Sequence, residues 1–161
     1  MFNFKPDFYL KIIFLFSFFA LMFAYYIEYI LKHQPCNLCL IERIPYGLSI
    51  ILISAIFVLK KYEKFLIILL ILIFIFSFLV SFYHYGIEKG FFQESVICGV
   101  ENFTEKMTKE ELLSQLNEIT VSCKDVTFRI FGLSLTSINI VFSLFFIITL
   151  SKIYIKYEKN K

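Results

Sequence analysis

Four long apolar stretches decide what this chain can fold into. They run from Leu10 to Leu31, from about Cys39 to Leu59, from Phe65 to about Tyr85, and from Ile130 to Leu150. Each has the length, about 20 residues, that a helix needs to cross the hydrocarbon core of a bilayer. Lipid offers backbone N–H and C=O groups no partner, so a spanning segment must satisfy them as a helix or in a closed barrel. A barrel requires short strands that alternate apolar and polar residues, and the run from Phe65 to Val80 does not alternate. Many of these residues are β-branched Ile, which lowers helix propensity in water, but the obligatory internal hydrogen bonds override that preference in lipid. The composition agrees: 59% of the 161 residues are hydrophobic and only 18% are charged. A soluble domain carries about a quarter charged residues, and a disordered chain is poor in apolar ones. The expected fold is an all-α membrane protein: one domain over residues 1–161, a four-transmembrane-helix bundle with loops at about 32–38 and 86–129. The net charge of +3 is too small to argue for nucleic acid, and the sequence has no basic stripe or nucleic-acid motif, so no nucleic-acid partner is expected.

Orientation follows from the short flanks. Lys5 and Lys11 before or within the first turns, Lys60, Lys61 and Lys64 between the second and third stretches, and Lys152, Lys156, Lys159 and Lys161 at the end all fall on one side. The positive-inside rule puts that side, and both termini, in the cytoplasm. The first stretch is longer than a signal-peptide core and no A-x-A-like cleavage site follows it, so it is expected to be retained. All four cysteines then fall on the outer side, although the charge argument made no use of them. Disulfides persist in such an oxidising compartment. Within the long outer loop, Thr108 to Glu111 reads as a capping box opening a helix to about Ile119. Its apolar face (Leu112, Leu113, Leu116 and Ile119) is expected to lie in the membrane interface or against other parts of the loop.

The segment from Gln34 to Arg43, QPCNLCLIER, carries the chemistry. A C-x-x-C at a helix start lets two thiols close a small ring, and the partial positive charge of a helix N-terminus favours a thiolate. Redox dithiols need such an accessible, acidified sulfur. Arg43 lies four residues after Cys39, on the same face if the helix has begun there. It would be the nearest fixed cation, able to favour the thiolate or bind a carbonyl oxygen. The plainer alternative is an interfacial anchor with Glu42 as its partner. Zinc is the competing use of C-x-x-C, but the other cysteines stand 25 positions apart and only His33 and His84 could assist, so no metal is expected. Cys98 and Cys123 could form a plain structural disulfide. As a second pair on the same side they could also relay electrons to the first, in a polar loop where the bond is open to exchange rather than buried. His84, beside Tyr83 and Tyr85, is either an interfacial residue or a cofactor contact. Glu28 is expected to be interfacial, and Asn139, in mid-span, to bond a neighbouring helix.

The stretch from Pro35 to Arg43, the four spans and the second cysteine pair in the next outer loop resemble the DsbB family. The segment from Tyr83 to Glu88 and the run from Gly132 to Leu135 resemble it too. The family consists of bacterial inner-membrane thiol:quinone oxidoreductases that reoxidise a periplasmic dithiol oxidase of the DsbA type. The resemblance implies that Cys36 and Cys39 are the quinone-proximal pair, with Cys39 the thiolate facing the quinone (ubiquinone or menaquinone) and Arg43 beside it. It implies that Cys98 and Cys123 exchange with a soluble thioredoxin-fold partner, Cys98 forming the mixed disulfide, and that His84 lies near the quinone. The chain has no Trp, where many relatives carry some near the loop. Two alternatives differ in what they require. A quinone reductase of the vitamin K epoxide reductase type places its C-x-x-C near the end of a late span, whereas here it opens the second. A non-catalytic scaffold with two structural disulfides requires no reactive cysteine at all.

Overall fold

The computed structural model describes residues 6–94, 98, 122–124, 129–130 and 132–159. The helix expected at 108–119 lies outside the described residues. Helix α1 spans Pro6–Tyr29. Proline suits a first helical position because the N–H it lacks has no acceptor there, and Asp7 in the first turn complements the helix dipole. A short helix α2, Asn37–Ile41, is followed by α3, Ile44–Val58. A 3-10 turn, Lys60–Tyr62, leads directly into α4, Glu63–Glu88. A two-stranded hairpin follows the long loop: β1, Arg129–Ile130, pairs antiparallel with β2, Leu133–Ser134. Helix α5, Leu135–Lys159, completes the chain.

Two departures from the hydropathy pattern have local causes. The second apolar stretch is not one helix. Pro45 has no N–H to return to the Ile41 carbonyl, so the helical hydrogen bonding lapses at Glu42 and Arg43, although both keep right-handed helical backbone, before α3 begins. The fourth helix starts at Leu135 rather than near Ile130. Gly132, at φ 81°, supplies the left-handed residue of the hairpin turn. Ser134 then caps α5 by accepting the Ser137 N–H at 3.2 Å.

The helices pack in sequence, α1 on α3, α3 on α4, and α4 on α5. Their shared core includes Leu10, Ile13, Ile53, Ile67, Leu70, Phe74, Phe146, Leu150 and Ile153. The Phe74 and Phe146 rings meet edge to face at 5.0 Å. Small polar residues sit where helices cross. Ser49 donates to Ser17 at 2.8 Å, and Ser143 to Ser77 at 3.1 Å. Without a hydrophobic force between helices in lipid, close packing at small residues and such hydrogen bonds, on average about 0.6 kcal/mol each, hold a bundle together. The outward faces carry large apolar side chains, among them Leu15, Phe19, Ile51, Leu72, Leu79, Val141 and Phe145. Among the described residues four helical segments, counting α2 and α3 together as Asn37–Val58, are long and apolar enough to span a bilayer. A water-facing surface of this kind would aggregate; against lipid it is the low-energy choice.

At the end of α4 the chain reverses through Gly90, at φ 77°, and Phe92 folds back so that its ring stacks on Tyr83 at 5.7 Å. The ring covers Gly86, where an added Cβ would come within 2.1 Å of it. Gly86→Ala is expected to expel the Phe92 ring and to cost about 1–2 kcal/mol. A lowered thermal midpoint in detergent, with Phe92→Ala giving a similar loss and no additive effect in the double variant, would verify this.

Candidate active site

The end of α1, α2, the end of α4 and the start of α5 meet at one end of the bundle. There Cys36, Leu38, Ile87, Cys98 and Cys123 form a buried cluster, with Cys39, Ile41, Val80 and Tyr83 packed against it. Both cysteine pairs therefore share one patch of core. Cys98 and Cys123 are joined in a disulfide, and Cys36 and Cys39 are free thiols. Cys36 is the N-cap of α2, and its Sγ accepts the Cys39 N–H at 3.3 Å. The two Sγ atoms lie 2.7 Å apart. Because α2 has only five residues, this local N–H, rather than a long helix dipole, is what the backbone offers the sulfur.

The expected exposure of the loop pair is not what the structure has. Cys98 is 1% exposed and Cys123 2%. Sequence polarity suggested an open loop, but the disulfide is itself apolar and packs on Ile87 and Leu38. The bond is therefore buried rather than open to solvent.

A cavity of about 530 Å³ lies beside this cluster, between α1 and α5. Phe16, Phe19 and Phe23 of α1 and Phe142 of α5 make its apolar side. Its polar end holds Cys36, Cys39, Arg43, His84 and Cys123. Five of the six residues to which the family resemblance gives a role thus face one space. Cys98 is behind the wall, tied in by its disulfide to Cys123.

The polar groups form a connected chain. His84 is 3% exposed, buried within the bundle near the end of α4. Its Nε2 lies 3.6 Å from Cys36 Sγ, and its Nδ1 lies 3.0 Å from Glu42 Oε1 and 3.2 Å from Thr136 Oγ1. Asn139 donates from Nδ2 to Glu42 Oε2 at 3.3 Å and to Ser81 Oγ at 2.7 Å, while its Oδ1 accepts the Tyr46 hydroxyl. Asn139 therefore bonds neighbouring helices, as its mid-span position suggested, and also holds the carboxylate that holds His84. Arg43 pairs with Glu28 of α1, not with Glu42, and stands over the Tyr25 ring at 5.3 Å. Glu28, expected to be merely interfacial, supplies the counter-charge that makes an arginine at this depth affordable.

Glu42, Thr136 and Asn139 are the site residues that motif reasoning passed over or underweighted. The available signal for Glu42 was its cost: a carboxylate within an apolar span needs a partner and usually a task. Cys36 lies just before the second span, and its thiol is pulled down to about 5, first by the hydrogen bond with Cys39 and then by His84, against the opposing effect of burial. In the dithiol, alkylation of Cys36 by iodoacetamide should therefore persist at mildly acidic pH and fall off only near pH 5. A profile that fell off near pH 8.5, as for a free thiol, would contradict this.

The comparisons with known proteins come out as this geometry would lead one to expect. The family model described as "Disulfide bond formation protein DsbB" matches residues 6–152. A protein of Rickettsia prowazekii (strain Madrid E), described as uncharacterized protein RP370, is 31% identical over 150 residues, covering 90% of this chain and 86% of that one. No solved structure matches. With nearly its whole length matched, its four spans formed and both cysteine pairs gathered at one end of the bundle, the chain is a multi-pass membrane protein belonging to the DsbB family of disulfide bond formation proteins.

Proposed function

We propose that this protein is a protein-dithiol:quinone oxidoreductase. It would reoxidise a periplasmic, DsbA-like thioredoxin-fold protein and pass the electrons to the membrane quinone pool. The observation that carries this reading is the shared cluster: Cys36, Cys39 and Cys123 all line one cavity, and Cys98 is bonded to Cys123. The cavity also suits a quinone head group. Its volume is within the range of about 300–1,000 Å³ typical of small-molecule sites, its long side is aromatic, and its polar end carries donors. A bound quinone supplies a two-electron, two-proton acceptor.

The chain's own residues then have defined tasks. The partner's two thiols become a disulfide as Cys98–Cys123 is reduced, with Cys98 taken as the sulfur that meets the partner. One freed loop thiolate attacks the Cys36–Cys39 disulfide, so that the loop bond re-forms and Cys36 and Cys39 become the dithiol. Each exchange moves two electrons and breaks one S–S bond for each one formed. Cys39 is assigned the sulfur that faces the acceptor. His84 Nε2 is placed to take the Cys36 proton, and the Glu42 carboxylate behind it to stabilise the imidazolium that results. Arg43, held at the cavity by Glu28, is placed to donate to an acceptor carbonyl. The protein would sit in a bacterial inner membrane, both termini cytoplasmic and the cysteines periplasmic, as its lysines favour.

The test begins with protein reduced at all four cysteines, freed of reductant and kept anaerobic. Added to a short-chain ubiquinone or menaquinone, it is expected to yield two quinols per chain as two disulfides form. A scaffold with structural disulfides would yield none, and that outcome would overturn the proposal. Arg43→Ala is expected to raise the quinone concentration needed for half-maximal rate about tenfold, leaving exchange of the Cys98–Cys123 bond unchanged. Equal loss of both would make Arg43 a structural anchor.

A further inference from the structure

Cys36 Sγ, Cys39 Sγ and His84 Nε2 all lie within 4.8 Å of one another. We propose that, in the dithiol state, these three atoms form a binding site for a thiophilic divalent cation of the zinc and cadmium group. Such an ion would hold the pair reduced and so inhibit its oxidation. Spacing in the sequence did not suggest this, because His84 lies 45 positions beyond Cys39 and only the α2–α4 packing brings it in.

Three observations carry the assignment. The ligand types are soft sulfur and imidazole nitrogen, the set zinc prefers. The spacing fits: tetrahedral zinc with bonds of about 2.3 Å to sulfur and 2.0 Å to nitrogen places those atoms about 3.5 Å apart. Cys36 Sγ and His84 Nε2 are 3.6 Å apart already. The Cys39 sulfur, now 2.7 Å from Cys36, would have to swing outward by about 1 Å to complete the triangle. The third observation is what lies behind the histidine. Nδ1 faces two acceptors, Glu42 Oε1 and Thr136 Oγ1. These partners can hold a proton on Nδ1, which leaves Nε2, once the incoming metal displaces its own proton, facing the Cys36 sulfur. A carboxylate behind a histidine is the usual support of a metal ligand. The adjoining cavity leaves room for water at the fourth position.

Binding is an acid–base step, not a redox one. The Cys39 proton and the one shared between Cys36 and His84 Nε2 leave as two metal–sulfur bonds and one metal–nitrogen bond form, and no electrons move. The oxidised pair has no thiolate to offer and should not bind. The inference needs only the observed geometry, so it stands or falls apart from quinone reduction.

The experiment uses full-length protein with Cys98→Ala and Cys123→Ala, reduced, freed of reductant and titrated anaerobically with cadmium chloride. Expected is an ultraviolet thiolate-to-cadmium charge-transfer band that saturates at one equivalent per chain, with two protons released. His84→Ala should weaken binding at least about tenfold, and Glu42→Gln about tenfold through the histidine. The same protein oxidised to the Cys36–Cys39 disulfide should show no band, a control that needs no further variant. A band that does not saturate, or one that persists after oxidation, would overturn the site. So would equal affinity in a folded His84→Ala protein.

Discussion

Cys39→Ala should abolish quinone-linked turnover, by at least about 10³-fold, while leaving one half of the chemistry intact. The Cys98–Cys123 disulfide does not need Cys39 to accept electrons from an outside dithiol. The first exchange should therefore proceed once and stop, with the partner oxidised and the loop pair left reduced. Mass spectrometry after alkylation would find thiols at Cys98 and Cys123 and no quinol formed. Continued turnover in this variant would mean that the electrons leave the chain elsewhere. The disulfide in the loop is buried, so the first exchange should also be slower with a bulky dithiol than with a small one.

Glu42→Gln should reduce turnover about 10–100-fold at neutral pH while the four-helix bundle still forms. The carboxylate has two oxygens, one accepting from Asn139 and the other facing His84 Nδ1. A glutamine offers one acceptor, so one of these two donors loses its partner at a cost of about 1–3 kcal/mol. The negative charge that steadies a protonated His84 goes as well. Proton transfer from Cys36 becomes harder, and the rate should regain ground as the pH is raised and hydroxide takes over the removal of the proton. Steady-state rates between pH 6 and 9, together with a thermal midpoint, separate the two effects. A lower midpoint with an unchanged pH profile would leave Glu42 a purely structural residue.

The parts of this molecule that the sequence made legible are those set by local chemistry. Each of the four spans follows from its own run of apolar residues, because a bilayer demands a helix of fixed length whatever its neighbours do. The dithiol was legible because C-x-x-C acts within a single turn. Spacing alone misjudged features that depend on a neighbour in space. Pro45 interrupts the helical hydrogen bonding of the second span, a local signal hidden beneath its strong hydropathy. The burial of Cys98 and Cys123 depends on Ile87 and Leu38, residues of two other segments. Glu42 had a neighbouring cation in Arg43 and Glu28 was expected to be only interfacial, but the structure paired Glu28 with Arg43 and Glu42 with His84. Asn139 was expected to bond a neighbouring helix and does, but that its neighbour would include Glu42 was visible only after folding.

The most direct measurement is a single turnover in lipid nanodiscs, without oxygen. A reduced DsbA-type dithiol protein is mixed with excess quinone and this chain, oxidised beforehand at both cysteine pairs, and quinol and oxidised partner are counted together. One quinol for each partner disulfide, with formation of both lost in a Cys36→Ala, Cys98→Ala double variant, is the expected result. Oxidation of the partner with no quinol, or quinol formed undiminished by that double variant, would contradict an electron path through these two cysteine pairs.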